Sequence, residues 1–206
     1  MGALGLSARG QAGSILAASA SVGAFALFVS LVAVRDRASG PILTPANVLT
    51  FSRVGAAGYL CGYAAAPRPG RARTFAWLAL LWAATVSDWL DGPVARHFGP
   101  TRLGAVLDLE ADSWLTLWAA AAAWRSGELP ASCLVAPLLR YAVRSRRGLD
   151  APMASEGWQK AAGAAQMGVL ACALSPTRKL RLASRALHPY AVIGQLIALA
   201  ADSRLV

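Results

Sequence analysis

Acidic side chains are concentrated in one short stretch of this chain, between two long apolar runs. Five of the ten Asp and Glu residues fall within residues 88–112, and these are Asp88, Asp91, Asp108, Glu110 and Asp112. Carboxylates beside apolar helices cost free energy unless a partner offsets their charge. The stretch therefore predicts a cation site.

The spacing of four of these acids favours two facing pairs. Asp88 and Asp91 are three residues apart on one predicted helix, and Asp108 and Asp112 are four apart on the next. The turn at 98–101 makes the helices antiparallel neighbours, so the pairs can face each other. Oxygen ligands without His or Cys suit Mg²⁺, Mn²⁺ or Ca²⁺. Two such ions commonly hold a phosphate or pyrophosphate during a displacement reaction.

Neighbouring residues fit the same chemistry. Gly92 and Gly104 let a backbone or a ligand come close, and Arg96 can neutralise phosphate charge. Helix geometry turns Glu110 away from Asp108 and Asp112, which predicts a rim charge and not a ligand. The alternative is a solvated helix end in which the acids pair with Arg96 and Arg102 for structural reasons only.

Composition indicates a membrane protein. The 206 residues are 56% hydrophobic and 15% charged, with a mean hydropathy of +0.48 and a net charge of +10. The arginines lie in short loops beside apolar runs, which favours anionic lipids and phosphate-bearing substrates as partners and argues against nucleic acid. Cys61, Cys133 and Cys172 lie singly in separate apolar runs, which predicts buried thiols without a disulfide or a zinc site.

The apolar runs predict an all-α, polytopic membrane helix bundle with six core transmembrane helices and one extra N-terminal helix. Residues 1–42 would form an N-terminal segment with weakly structured residues 1–12, the extra helix and a linker, and residues 43–206 the membrane domain. A cleaved signal peptide ending near Ala20 is the competing interpretation of the first apolar run. A basic loop at 176–185 would precede the last span. The predicted helices cover residues 13–34, 47–66, 74–97, 102–124, 130–145, 158–175 and 186–201.

The acidic stretch resembles the signature of the CDP-alcohol phosphatidyltransferase family, class I and integral to the membrane. The resemblance lies in the order Asp88-x2-Asp91-Gly92-x2-Ala95-Arg96, followed by Gly104-x3-Asp108-x3-Asp112. Seven residues separate Arg96 from Gly104, whereas the family commonly has eight, and the difference falls in the turn between the helices.

Two further stretches are similar to the family pattern. Asn47, Thr50 and Arg53 in PANVLTFSR resemble the opening of the family's first core helix, although Ala46 intervenes after Pro45. Lys160 and Gln166 loosely resemble a Gly-Lys…Gln stretch of the fifth core helix. The resemblance covers about residues 43–200, which leaves the first helix outside it.

The resemblance implies transfer of a phosphatidyl group from CDP-diacylglycerol to an alcohol, with release of CMP. By this resemblance Asp88, Asp91 and Asp108 bind two divalent ions, Mg²⁺ or Mn²⁺, and Asp112 is the general base and a further metal ligand. The residues implied to line the CDP site are Asn47, Thr50, Gly92, Ala95, Arg96 and Gly104.

The acceptor is less constrained by the sequence. Arg140 and Arg144 lie one helical turn apart, and with Lys160 they could bind a phosphorylated acceptor such as glycerol 3-phosphate or inositol phosphate. The alternative is that these cations contact lipid headgroups. His97 and His188 are isolated, which is typical of helix-end or interfacial residues.

Other functions remain open at this stage. One is a phosphotransferase that uses a soluble CDP-alcohol and a lipid acceptor. Others are an ion carrier, which should have acids on several helices at mid-membrane depth, and an inactive scaffold, which has no need of four acids. A slight excess of basic residues favours a cytoplasmic active site in a bacterial-type plasma membrane, although 178–185 argues against it unless it lies along the membrane surface. A homodimer is a possible assembly.

Overall fold

The computed structural model describes residues 2–35, 44–66, 83, 102–147 and 157–204. These residues form α-helices and one short 3₁₀-helix, with no strand among them, so the all-α prediction is confirmed. The elements are α1 (Gly2–Arg35), α2 (Pro45–Ala64), α3 (Arg102–Arg125), the 3₁₀-helix (Ala131–Leu134), α4 (Val135–Arg147), α5 (Gly157–Ala173) and α6 (Arg178–Arg204).

The apolar helices are consistent with a membrane bundle. Within the described residues, Gly10–Leu31 is long and apolar enough to cross a bilayer, and Ala131–Val143 and Ala161–Ala173 are shorter apolar helices. Only 11% of the apolar part of the long helix is buried in the protein, so most of this apolar surface is exposed. The count of six core spans plus one stays a prediction. The predicted helix at 74–97 lies outside the described residues apart from Ala83, which is helical.

Two local predictions were wrong. Residues from Arg178 onward do not form a loop, because α6 begins there and continues through Pro189 to Arg204. Its first turns contain Arg, Lys, Leu and Ala, which are good helix formers, and the Arg181 N–H donates to the Thr177 carbonyl at 3.2 Å. Residues 2–12, expected to be weakly structured, are part of α1, which begins at Gly2 and continues without a break to Arg35.

The extra N-terminal helix packs closely on α2. A Cβ atom at Gly62 would lie 2.6 Å from the carbonyl oxygen of Ser14, and one at Gly58 would lie 2.7 Å from Cγ2 of Val22. The Cys61 thiol donates to the carbonyl oxygen of Ala17 at 3.3 Å. Because a side chain at either glycine would separate the helices, α1 and α2 depend on these small residues for their contact.

The buried apolar residues form two clusters. The larger one joins α2, α3 and α5 around Leu60, Leu115 and Leu170. The smaller one joins α1, α2 and α3, and it consists of Phe25, Val54, Leu103, Leu107 and Ala111. The smaller cluster is next in sequence to Arg53, Asp108 and Asp112, so it supports the part of the bundle where the acidic residues lie.

Candidate active site

The start of α2 sets the position of three polar side chains. The Thr44 hydroxyl caps the helix by accepting from the Asn47 N–H at 3.1 Å, and Pro45 occupies the first turn. The spacing of Asn47, Thr50 and Arg53 then places them on one helix face, and all three are at most 2% exposed. The face that packs on α3 is therefore polar near its beginning.

Arg53 connects α2 to the acids of α3. Its Nη1 atom lies 2.5 Å from Oδ1 of Asp112, and its Nη2 atom lies 2.5 Å from Oδ1 of Asp108. The two nitrogens of the planar guanidinium thus reach across one turn of α3. The structure brings Asp108 and Asp112 together on one face, as their spacing predicts.

Burial differs between the members of this cluster. The Arg53 side chain is 0% exposed, whereas the side chains of Asp108 and Asp112 are 41% and 39% exposed. One buried positive charge meets two partly solvated negative charges, so the three groups together are negative. A buried arginine needs its carboxylates, and the surplus negative charge can attract a cation.

The donor chemistry of these acids suits a divalent metal. Asp108 and Asp112 supply hard oxygen ligands, and each pairs with Arg53 through its Oδ1 atom. A carboxylate has two oxygens, so it can bind Arg53 with one and a cation with the other. Across the described ranges, no group of three or more His, Cys, Asp or Glu residues could hold a metal ion. Asp88 and Asp91, which would complete the predicted set, lie outside those ranges.

Side chains next to Asp112 form hydrogen bonds within α3 and to α1. The Ser113 hydroxyl donates to the Leu109 carbonyl and the Thr116 hydroxyl to the Asp112 carbonyl, both at 2.8 Å. The Trp114 indole N–H donates to the Ser21 hydroxyl of α1 at 3.0 Å, and its ring centroid lies 6.2 Å from that of Phe25. The helix that carries Asp112 is therefore fixed to α1 directly after that residue.

The other predicted site residues are only partly described. Gly104 lies one turn before Asp108 on α3 and is half-buried. Arg140 is half-buried on α4, which packs against α3. Arg144 lies on α4 and Lys160 on α5, and their side chains are outside the described part. The predictions for Gly92, Ala95, Arg96 and His97 also fall outside it.

The structure gives Arg53 a role in the cluster and corrects the expectation for Glu110. Arg53 is a member of the acidic cluster, whereas its sequence context identified it only as part of a motif. Its signal was its helical spacing from Asn47 and Thr50, which share its buried face. Glu110 is not a rim charge, because it is 2% exposed. It points away from Asp108 but still into the protein, since α3 is packed on more than one side.

His188 lies within α6 and contacts the 3₁₀-helix. It is 5% exposed, and its Nε2 atom lies 2.8 Å from the Ser132 hydroxyl of the 3₁₀-helix. It therefore lies within α6 and not at a helix end, contrary to the expectation. The Ser132–His188 pair links α6 to the segment that precedes α4.

Comparison with known families settles the class of the protein. A family model described as CDP-alcohol phosphatidyltransferase matches residues 43–200 of the 206-residue chain. The chain belongs to this family. Neither the curated proteins nor the solved structures gave a match. The family places the chain among membrane-integral phosphotransferases of phospholipid biosynthesis, which transfer a phosphatidyl group from a CDP-alcohol to an acceptor. The match begins beyond α1, so the extra helix is an addition to the family region.

Proposed function

We propose that the chain transfers the phosphatidyl group of CDP-diacylglycerol to an alcohol and releases CMP on the cytoplasmic side of the membrane. The observation that carries this proposal is the bridge from buried Arg53 to the half-exposed carboxylates of Asp108 and Asp112. In a member of this family, a negative and solvent-accessible pair on one helix face is suited to bind metal and accept a proton.

The reaction forms one bond and breaks one. The acceptor oxygen bonds to the phosphorus that carries diacylglycerol, and the bond from this phosphorus to the bridging oxygen breaks. The electron pair leaves with CMP, and the proton of the acceptor hydroxyl passes to Asp112. The carboxylate of Asp112 is 39% exposed, so an acceptor can reach it.

Asp88, Asp91, Asp108 and Asp112 would hold two divalent ions, Mg²⁺ or Mn²⁺. When bound, the ions offset the pyrophosphate charge and stabilise the leaving CMP. Arg53 is a positioning residue in this account. It fixes the carboxylates of Asp108 and Asp112 in one orientation and reduces their mutual repulsion.

The other candidate residues are assigned to the two substrates, the CDP-linked lipid and the acceptor alcohol. Asn47 and Thr50 share the buried face of Arg53, and Gly104 lies one turn from Asp108, which supports their role at the CDP moiety together with Gly92, Ala95 and Arg96. Arg140, Arg144 and Lys160 would bind a phosphorylated acceptor such as glycerol 3-phosphate or inositol phosphate. The support for this is the half-buried Arg140 on a helix that packs against α3.

The test is CMP release by the purified full chain in detergent with CDP-diacylglycerol, Mn²⁺ and a panel of alcohols. We expect release that depends on the alcohol, and Asp112→Asn should lower the rate by about 10²–10⁴-fold, as loss of a general base does. Ser113→Ala is the matched control, because its hydroxyl bonds only within α3 in the described structure. Equal rates for Asp112→Asn and wild type would remove Asp112 as the base.

Two further arms test the substrates. Arg144→Gln should raise KM for a phosphorylated acceptor and leave binding of CDP-diacylglycerol unchanged. If no alcohol supports release from CDP-diacylglycerol, the donor assignment is wrong. Release from a soluble CDP-alcohol in the presence of diacylglycerol would then identify the reaction as phosphoalcohol transfer to a lipid.

A further inference from the structure

A basic cavity lies at the end of α3 that is distant from Asp108 and Asp112. It has a volume of about 440 Å³, and Glu128, Arg178, Arg181, Leu182 and Arg185 line it. Arg125, the last residue of α3, follows Asp112 by 13 positions on the same helix, which corresponds to about 20 Å along the axis. This arginine cavity is therefore separate from the candidate active site.

Two of the arginines are held firmly by the loops around them. Glu128 pairs with Nε of Arg181 at 3.4 Å and with Nη2 of Arg185 at 3.0 Å. Arg181 also donates to the carbonyls of Ser175 and Pro176 at 2.9 and 2.8 Å, and Arg185 donates to the carbonyl of Glu128 at 3.0 Å. The guanidinium groups are thus oriented before any ligand arrives, which lowers the entropy lost on binding.

The charges in the cavity are not balanced. Three arginines meet one glutamate, and Arg178 makes no ion pair with any part of the chain that the structure describes. The first turn of α6 carries Arg178 and Lys179 and no acid, although the partial positive charge of a helix N-terminus disfavours cations. A bound anion would offset both the surplus charge and this unfavourable placement.

The surroundings of the cavity indicate an amphiphilic anion. Leu182 lines the cavity and is 52% exposed, and Leu180 and Leu187 on the same helix are 40% and 54% exposed. Further along α6, Ile193 and Ile197 are also more than half exposed. A free phosphate would leave these side chains without contacts, whereas acyl chains would cover them.

We propose that the arginine cavity binds the phosphate group of an anionic phospholipid, with Arg178, Arg181 and Arg185 as its ligands. Guanidinium groups bind phosphate oxygens through paired, charge-assisted hydrogen bonds. The acyl chains lie along the exposed apolar side chains of α6. The site does not depend on the proposed reaction, because it shares no residue with the acidic cluster.

The test measures lipid binding to the full chain in detergent micelles by native mass spectrometry. The probes are phosphatidylglycerol, phosphatidylcholine and inorganic phosphate, each added alone and then in competition. We expect phosphatidylglycerol to bind in preference to the other two. Arg178→Gln should weaken its binding about tenfold, which corresponds to the loss of one charge-assisted contact.

Lys179→Gln is the matched control, since it removes the same charge from the same helical turn but does not line the cavity. Its binding of phosphatidylglycerol should stay within about twofold of wild type, as expected for an exposed charge outside the cavity. Equal losses in both variants would show general attraction to a basic surface and overturn the site. Inorganic phosphate that displaces the lipid at similar concentration would overturn the lipid assignment and leave a site for soluble phosphate. No preference for phosphatidylglycerol over phosphatidylcholine would contradict the proposal as a whole.

Discussion

The two ends of α3 carry ion clusters of opposite composition. Near the first end, Arg53 pairs with Asp108 and Asp112. The Arg53 side chain is 0% exposed, whereas the side chains of Asp108 and Asp112 are 41% and 39% exposed. Just beyond the other end, Glu128 pairs with Arg181 and Arg185. The Glu128 side chain is 16% exposed and that of Arg185 is 51% exposed. In the first cluster the minority charge is the buried member, whereas in the second Glu128 and Arg181 are equally buried, each 16% exposed. In both clusters the minority charge pairs with two groups of opposite sign. The first end therefore offers negative charge to a cation, and the second offers positive charge to an anion.

The largest expected loss of stability comes from replacing the two acids of the first cluster. The double variant Asp108→Asn/Asp112→Asn leaves the buried Arg53 guanidinium without these two carboxylates, so its free energy of unfolding should fall by about 3 kcal/mol or more. Adding Arg53→Met should recover most of the loss, because the charge that needed a partner is removed. Unfolding in detergent, followed by helical signal against denaturant, measures both changes.

Ser52→Ala serves as the control for this series, since Ser52 is exposed beside Arg53 on α2 and, among the described residues, its hydroxyl bonds only to the Leu49 carbonyl. It should unfold as wild type does. A double variant as stable as wild type would show that the bridge does not contribute to the fold.

An intermediate effect is expected from separating α1 and α2. Gly62→Ala places a Cβ atom 2.6 Å from the Ser14 carbonyl oxygen, and overpacking of this kind costs about 1–3 kcal/mol. Because Phe25 of α1 packs in the cluster next to the acids, CMP release should fall as well. Lipid binding at the arginine cavity should be unchanged, which would separate the two ends of α3 functionally.

Gly55→Ala is the matched control. Gly55 lies on α2, as Gly62 does, but a Cβ atom there would have no neighbour within 4 Å among the described residues. Removal of a helical glycine at an open position should be neutral or slightly stabilising. If both alanine variants behave alike, the close approach of α1 and α2 is not needed.

The smallest loss of stability is expected from a change in the arginine cavity. Glu128→Gln removes the one acid among the described residues that line the arginine cavity. Its free energy of unfolding should fall by about 1 kcal/mol, less than in the acidic double variant, because the amide can still accept a hydrogen bond from Arg185, whose side chain is 51% exposed. Arg181 and Arg185 keep their backbone carbonyl contacts in this variant. A loss as large as that of the acidic double variant would contradict the difference in burial between the two clusters.

Local patterns in the sequence predicted a good part of this arrangement. Apolar runs and turn residues place α2 and α3 within about two residues of their observed ends, because periodicity and capping are local. The four-residue spacing of Asp108 and Asp112 is sufficient to put them on one helix face. The family resemblance over 43–200 is likewise confirmed.

Tertiary contacts account for what the sequence did not predict. The bridge from Arg53 spans 55 and 59 positions to Asp108 and Asp112, and no local pattern specifies such a pairing. Burial of Glu110 depends on helices that pack around α3. The arginine cavity requires Glu128 to meet residues 50 or more positions later, and the basic stretch there suggested a loop because its charges resemble a solvated segment.

In the proposed reaction Asp108 and Asp112 perform chemistry and do not merely neutralise Arg53. Alcohol-dependent CMP release by the triple variant Arg53→Met/Asp108→Asn/Asp112→Asn tests this most directly, because its charges are balanced and its fold should be retained. We expect a stable protein with no alcohol-dependent release above background from CDP-diacylglycerol and Mn²⁺. Release at the wild-type rate would contradict it and leave the cluster with a purely structural role.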